Sequence, residues 1–242
     1  MFILRECIRI KSLHLGKQVH AHIIKAGVET DTFMGNNLVN MYAKCRSMDD
    51  AHNVFDKMPE PDVVSWTSVI AGSAQCGAVK EAVGLFDMMK RAGIKPDFIT
   101  FGCVLRACAA GTEALAEGQQ VHAATVKFGH ELDDSIQEAL ILMYAQCGRL
   151  GDSRKAFNNK TPKDNNNIVS SPWNAMIAGY AKNGFGSEAV NLFTQMHRAS
   201  IRANHLTLAH VLGVFARPEA LCNRSNRSMF MLLKLGSIRT IL

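Results

Sequence analysis

Val63-Val-Ser-Trp-Thr-Ser-Val-Ile-Ala-Gly72, continued by Ala82-Val-Gly-Leu-Phe86 and closed by Gly93-Ile-Lys-Pro-Asp97, decides the fold of this chain. Trp66, Val69, Ile70 and Ala74 recur at the i, i+3, i+4, i+8 spacing that lines one face of an α-helix. Ala82, Leu85, Phe86 and Met89 make a second stripe of the same kind. Gly77 stands where the first helix should stop, because glycine takes a left-handed backbone without strain, and Gly93 with Pro96 ends the second. The reading is a hairpin of two helices, each about a dozen residues long. So short a hairpin cannot bury both stripes within itself, so it needs neighbours.

Those neighbours are in the sequence. The hairpin recurs as Trp173, Met176, Ile177 and Tyr180, then Ala189, Leu192, Phe193 and Met196. Met41-Tyr-Ala-Lys-Cys45 returns as Met143-Tyr-Ala-Gln-Cys147, and Gly16-Lys-Gln-Val-His20 as Gly118-Gln-Gln-Val-His122, both 102 positions later. Aligning these landmarks gives units 32–62, 63–97, 98–133, 134–164 and 170–204, with an insertion at 165–169. Residues 1–31 read as an incomplete unit lacking most of its first helix. Residues 205–242 read as a divergent one, in which Ala216-Arg-Pro-Glu219 interrupts a first helix while Lys234-Leu-Gly236 keeps phase with Lys127-Phe-Gly129. Self-similarity on this scale predicts an all-α, right-handed superhelix, a solenoid of stacked helical hairpins whose first helices line the concave side. Apolar faces left without capping repeats at both ends predict poor solubility.

Composition narrows the function. Of 242 residues, 48% are hydrophobic and 20% charged, which is the balance of a folded chain rather than a disordered one. A net charge of +6 suits a polyanionic partner. No apolar run approaches the roughly 18 residues that span a bilayer, and the apolar stretch 229–233 is far too short, so no membrane insertion is expected. The seven cysteines include no C-x-x-C pair, and Cys45, Cys76 and Cys147 each occupy the fourteenth place of a unit. That regular address indicates packing at a helix end rather than a disulfide framework or a metal site. His20 and His122 share a repeat position near the start of a second helix and are read as structural. There is no Gly-rich phosphate loop, no pair of catalytic carboxylates and no zinc set, so neither an enzyme nor a cofactor is expected.

These motifs closely resemble the pentatricopeptide repeat family, in its plant form with alternating P, L and S repeats. The 63–97 unit looks like a P repeat. Met41-Tyr-Ala-Lys-Cys45 with Val54-Phe-Asp-Lys-Met-Pro59 resembles an S repeat, and Gly118-Gln-Gln-Val-His122 with Val126-Lys-Phe-Gly129 an L repeat. Thus 32–62 and 134–164 are S-type, 63–97 and 170–204 P-type, 98–133 L-type, and the two end segments L-type. A tetratricopeptide solenoid would keep a constant period of about 34 residues and a W-x-x-L-G-x-x-Y motif, neither of which is present.

The resemblance implies single-stranded RNA as the partner, read at one base per repeat by the fifth and last residues of each unit. Carried over, Asn36 with Asp62 favours U, Thr67 with Asp97 favours G, and Asn174 with Asn204 favours a pyrimidine. Gly102 with Asp133 offers no side chain at the fifth place and reads little. Glu138 with Asp164 departs from the family pattern, because a carboxylate can accept from a cytosine amino group but repels phosphate. The second residue flanks the base with apolar surface, which gives Phe33, Val64 and Ile99; Ser135 and Ser171 replace them further on, so stacking should fade toward the C-terminal end. Lys44 and Lys182, at the thirteenth place, are the phosphate contacts by the same resemblance, with Gln75 and Gln146 at that place elsewhere. Lys80, Lys90 and Lys155 belong to solvated outer faces.

The L-S-P organisation further implies a role as a recognition module in organellar RNA editing or processing, in mitochondrion or plastid. Residues 5–17 carry the charge of a transit peptide but match repeat sequence better, so no clear transit peptide is identified. Some full-length relatives append a zinc deaminase-like domain, whose H-x-E and P-C-x-x-C motifs do not occur here. An editing deaminase, or other repeat proteins, would then act in trans. Two other readings fit the same residues: a protein-interaction scaffold using the same groove, and a truncated paralogue with little independent function.

Overall fold

The computed structural model describes residues 2–27, 31–111, 113–159 and 170–215. Asp164, the insertion 165–169 and the closing tail 216–242 lie outside the described residues. Within them the chain is all α-helix: α1 Phe2–Ile10, α2 Leu13–Lys25, α3 Thr32–Lys44, α4 Met48–Phe55, α5 Val63–Gln75, α6 Val79–Arg91, α7 Phe98–Ala110, α8 Leu115–Lys127, α9 Asp134–Gln146, α10 Leu150–Asn158, α11 Ser171–Lys182, α12 Gly186–Arg198 and α13 His205–Phe215.

Consecutive helices pair as stacked hairpins, in two compact units, 1–131 and 132–242. In the first unit α1, α3, α5 and α7 pack in succession, each against its own second helix. In the second, α9, α11 and α13 stack in the same way, with α10 and α12 behind them. The cores follow the stripes. Trp66, Val69, Ile70, Leu85, Phe86, Met89 and Phe101 are buried in the first unit, and Ile136, Leu140, Met176, Ile177, Leu192 and Met196 in the second. One aromatic joint recurs between successive hairpins, a second-helix Phe set edge-on to the next first helix. Phe55 meets Trp66 at 4.7 Å and Phe86 meets Phe101 at 5.5 Å, and in the second unit Phe157 meets Trp173 at 5.0 Å. This geometry suits the quadrupoles of the rings and locks each hairpin to the one before it.

Helix ends follow local chemistry. Asp31, Asp62, Asp97 and Asp133 are the N-caps of α3, α5, α7 and α9, each accepting hydrogen bonds from first-turn N–H groups. Cys45, Cys76 and Cys147 are the C-caps of α3, α5 and α9. The second helices differ in length: α4 has 8 residues and α10 has 9, against 13 in α6, α8 and α12.

Two expectations need correction. The opening hairpin does not lack most of its first helix, because α1 keeps 9 residues, packs on α2 and α3, and buries Leu4 and Cys7. Nor do His20 and His122 lie at the start of a second helix; both fall mid-helix, in α2 and α8. There the His20 Nδ1 pairs with the Tyr42 hydroxyl at 2.9 Å, tying α2 to α3.

Candidate nucleic-acid interface

The residue that ends one hairpin is also the cap that starts the next first helix, so it is held by backbone geometry beside the preceding helix. Asp62 shows the consequence. Its Oδ1 accepts from the Ser65 N–H at 2.9 Å and from the Asn36 Nδ2 at 3.1 Å, while the Ser65 hydroxyl donates to the Asn36 Oδ1 at 2.6 Å. Asn36 and Asp62 are 26 residues apart in sequence and share one hydrogen-bonded network across α3 and α5. Burial pushes the Asp62 carboxyl up, but the Ser65 N–H, the Asn36 amide, the Ser65 hydroxyl and the Val64 N–H outweigh it and hold the group below the ordinary carboxylate range. It is an anion at neutral pH.

Thr67 and Asp97 are joined less directly. The Thr67 Oγ1 lies 2.7 Å from the Thr100 Oγ1, which donates to the Asp97 Oδ1 at 2.7 Å. In the second unit Thr207 takes the same place, its single hydroxyl proton shared between the Asn174 Oδ1 and, at 2.9 Å, the Asn204 Oδ1. The structure therefore brings together three of the sequence-derived pairs. Each is linked through a hydroxyl that the sequence reading had not singled out, on Ser65, Thr100 or Thr207. The available signal was a capping pattern, Asp or Asn followed three residues later by Ser or Thr.

Asp133 is otherwise disposed: its Oδ1 accepts from the Ser135 N–H at 2.8 Å, the Ser135 hydroxyl at 2.5 Å and the Ile136 N–H at 3.4 Å. Gly102 is buried in α7, and a Cβ built on it would stand 3.2 Å from a guanidinium nitrogen of Arg106. The place left by the missing side chain is thus covered by an exposed cation, which sequence spacing alone did not indicate. Glu138 is half-buried on α9, and its sequence partner Asp164 lies outside the described residues.

Around these pairs the first helices expose apolar surface and lysine. Phe33, Val64 and Ile99 are 59%, 56% and 48% exposed, unusual for large apolar side chains on helices whose other face is core. Leu206 on α13 has the same second-place address and is also exposed, so exposed apolar surface returns at that place after Ser135 and Ser171. The Lys44 Nζ donates to the Gln75 Oε1 at 2.9 Å, and the Lys182 Nζ donates to the Gln146 Oε1. These links orient the ammonium groups without neutralising them. In the first unit Val64, Ile99, Thr67, Lys44, Gln75 and Cys103 line one open cleft of ≈150 Å³ between α3, α5 and α7. Two apolar walls, a hydroxyl with a carboxylate behind it, and a cation at one side can hold a flat heteroaromatic group attached to an anionic backbone. Among the described residues no group of three or more His, Cys, Asp or Glu could hold a metal ion, and no helix is long and apolar enough to cross a membrane.

The PPR repeat family matches residues 61–110, and the PPR repeat matches 36–62 and 171–201. The chain belongs to the PPR repeat family. It is 35% identical over 209 residues to the Arabidopsis thaliana pentatricopeptide repeat-containing protein At3g12770, covering 85% of this chain and 29% of that protein. It is 38% identical over 211 residues to the chloroplastic At4g18520 and 36% identical over 211 residues to the mitochondrial At3g13770, both pentatricopeptide repeat-containing proteins of Arabidopsis thaliana. Each match covers 87% of this chain and 33% of the relative. This PPR chain therefore spans about a third of the length of these curated relatives. Among solved structures, the crystal structure of pentatricopeptide repeat protein PPR10 in complex with an 18-nt psaJ RNA element superposes with a TM-score of 0.71 at 22% identity, covering 93% of this chain and 33% of that one. PPR10 from maize gives the same TM-score at 21% identity, covering 93% and 31%. At that identity the likeness establishes the shared helical-hairpin fold.

Proposed function

We propose that this chain binds single-stranded RNA along the exposed faces of its first helices, with one base per hairpin and no catalytic role of its own. The observation that carries this reading is the repeated coupling of fifth and last side chains, in Asn36 with Asp62, Thr67 with Asp97 and Asn174 with Asn204. Membership of the PPR repeat family and the RNA-bound state of PPR10 support it. In this reading Asn36–Asp62 selects U, Thr67–Asp97 selects G and Asn174–Asn204 selects a pyrimidine, while Phe33, Val64 and Ile99 flank the bases and Lys44 and Lys182 meet phosphates. Gly102 with Asp133 and Glu138 with Asp164 contribute little selection.

The repeat types inferred from the sequence, with S units at 32–62 and 134–164, P units at 63–97 and 170–204 and L units elsewhere, extend the proposal to organellar RNA editing or processing. The chain would supply recognition in mitochondrion or plastid, with a deaminase or other repeat proteins in trans. The mitochondrial and chloroplastic relatives support the compartment. The direct test is selection of bound sequences from a randomised RNA pool by the purified chain. Enrichment of U-G, then two unselected bases, then a pyrimidine is expected. Recovery of the unselected pool, together with protein capture insensitive to ribonuclease, would replace this reading with an interaction scaffold.

A further inference from the structure

Resting on the RNA-binding reading, we infer that the buried hydroxyls of Ser65, Thr100 and Thr207 are positioning residues that set which hydrogen-bonding face the preceding fifth residue offers a base. All three are fully buried, so no base reaches them directly. Each lies on the following first helix, three residues after the last residue of the preceding hairpin. Hydroxyls stand here after Asn36, Thr67 and Asn174, whose side chains can read polarity. After Gly102 the same place is held by Ile136, and after Glu138, once the insertion 165–169 is passed, the third residue of the next unit is Pro172.

The chemistry is sharpest at Thr100. A carboxylate only accepts hydrogen bonds, so the Thr100 hydroxyl proton is committed to the Asp97 Oδ1 at 2.7 Å. The Thr67 hydroxyl, 2.7 Å away, must then donate its own proton to the Thr100 oxygen. Thr67 is left presenting lone pairs alone. Guanine offers two adjacent donors, its N1–H and exocyclic amino group, to such an acceptor, whereas adenine sets the acceptor N1 beside its one amino donor, so the relay favours guanine over adenine. At Ser65 a related device fixes an amide: the hydroxyl lies 2.9 Å from the Asp62 Oδ1 but closer to the Asn36 Oδ1, which takes its single proton. The Asn36 Oδ1 accepts from the Ser65 hydroxyl at 2.6 Å and its Nδ2 donates to Asp62 at 3.1 Å. Turning the amide over would set its oxygen against the carboxylate, so the remaining lone pair and N–H keep fixed places. Uracil, with a donor at N3, matches the amide oxygen there; cytosine, with an acceptor at N3, does not.

The experiment compares the purified wild-type chain with T100V, T100S and S65A, using short RNAs that carry G or A at the second selected base and U or C at the first. Wild type should prefer G over A by roughly tenfold, the scale of one well-made base contact. T100V keeps the shape and burial of the side chain and should bring that ratio close to parity, while T100S restores it. S65A should weaken U over C at the first base and leave G over A intact. Circular dichroism and melting confirm that each variant is folded, and if T100V fails to fold, S65A carries the same test. A folded T100V, or S65A in its place, with wild-type discrimination overturns the inference and leaves RNA binding standing. A wild-type chain with no preference at either base overturns both.

Discussion

Gly102 has no side chain with which to read a base, yet the guanidinium of Arg106 lies where one would be, with Nη2 3.2 Å and Nη1 3.4 Å from the position of an added Cβ. Arg106 is exposed, permanently charged and planar, so it can meet a phosphate or stack on a base where Asn or Thr would form a directed bond. R106A is expected to weaken RNA binding and to reduce the logarithmic salt slope by about 0.7, while R106K keeps the slope; titrations at several salt concentrations decide it. A slope unchanged in R106A would mean that the guanidinium meets no phosphate. Tyr42 poses a different residue-scale question, because it is held between helices. Burial first, then the nearby Asp50 and Cys45, push its phenol up to about 12 from an ordinary value of 10.0. The neutral phenol therefore stabilises the fold at every pH below the unfolded value, and that contribution is lost as pH rises through the folded one. Melting of Y42F should fall less steeply than that of wild type across this alkaline window, and equal slopes would show that Tyr42 does not couple to folding.

Helices were legible because their signal is redundant: each stripe is repeated within the helix and again in the neighbouring hairpin, so Trp66 and Trp173 report on each other. Polar bridges carry no such redundancy. Ser65 and Asn36 are 29 residues apart, and Thr67 and Thr100 are 33 apart, so nothing local marks them as partners until the helices are stacked. Arg106 over Gly102 was equally silent, because one turn of helix brings many residues near one another and only the missing Cβ makes this pair informative. The stacking itself depends on close approach. A Cβ on Gly72 would stand 2.7 Å from the Ala43 Cβ and 2.9 Å from the Met48 sulfur, and Gly179 meets the Ala145 Cβ at 2.8 Å in the second unit. Since the Ala43 Cβ cannot move without its helix, G72A should force α3 and α5 apart and cost about 1–3 kcal/mol, measurable by denaturation. Ser200 works in the opposite direction. It holds φ at 58° where the corresponding Gly93 holds 77°, so S200G should stabilise the chain by about 1 kcal/mol, and no gain in melting temperature would show that the serine is unstrained.

At the scale of the whole chain, charge and information content separate two kinds of binding. If the three pairs select as proposed, U, G and a pyrimidine at fixed spacing recur about once in 32 positions of random RNA at one base per repeat, so selectivity would be shared with further repeats or partners. The relatives, about three times as long, have room for such repeats. Net charge of +6 could by itself draw the chain to any polyanion. Groove binding and charge-driven binding differ in salt dependence. If Lys44 and Lys182 alone neutralise phosphates, the slope of log affinity against log salt should be about −1.4, and Arg106 would steepen it to about −2.1. Outer-face lysines such as Lys80 and Lys155 add to the slope only when RNA wraps the second helices as well. The double variant K44A/K182A should therefore lose most of the salt dependence while keeping the order of base preferences, because the reading pairs are untouched. A slope near −4 in wild type, retained in the double variant, would show that net charge rather than the first-helix face governs affinity.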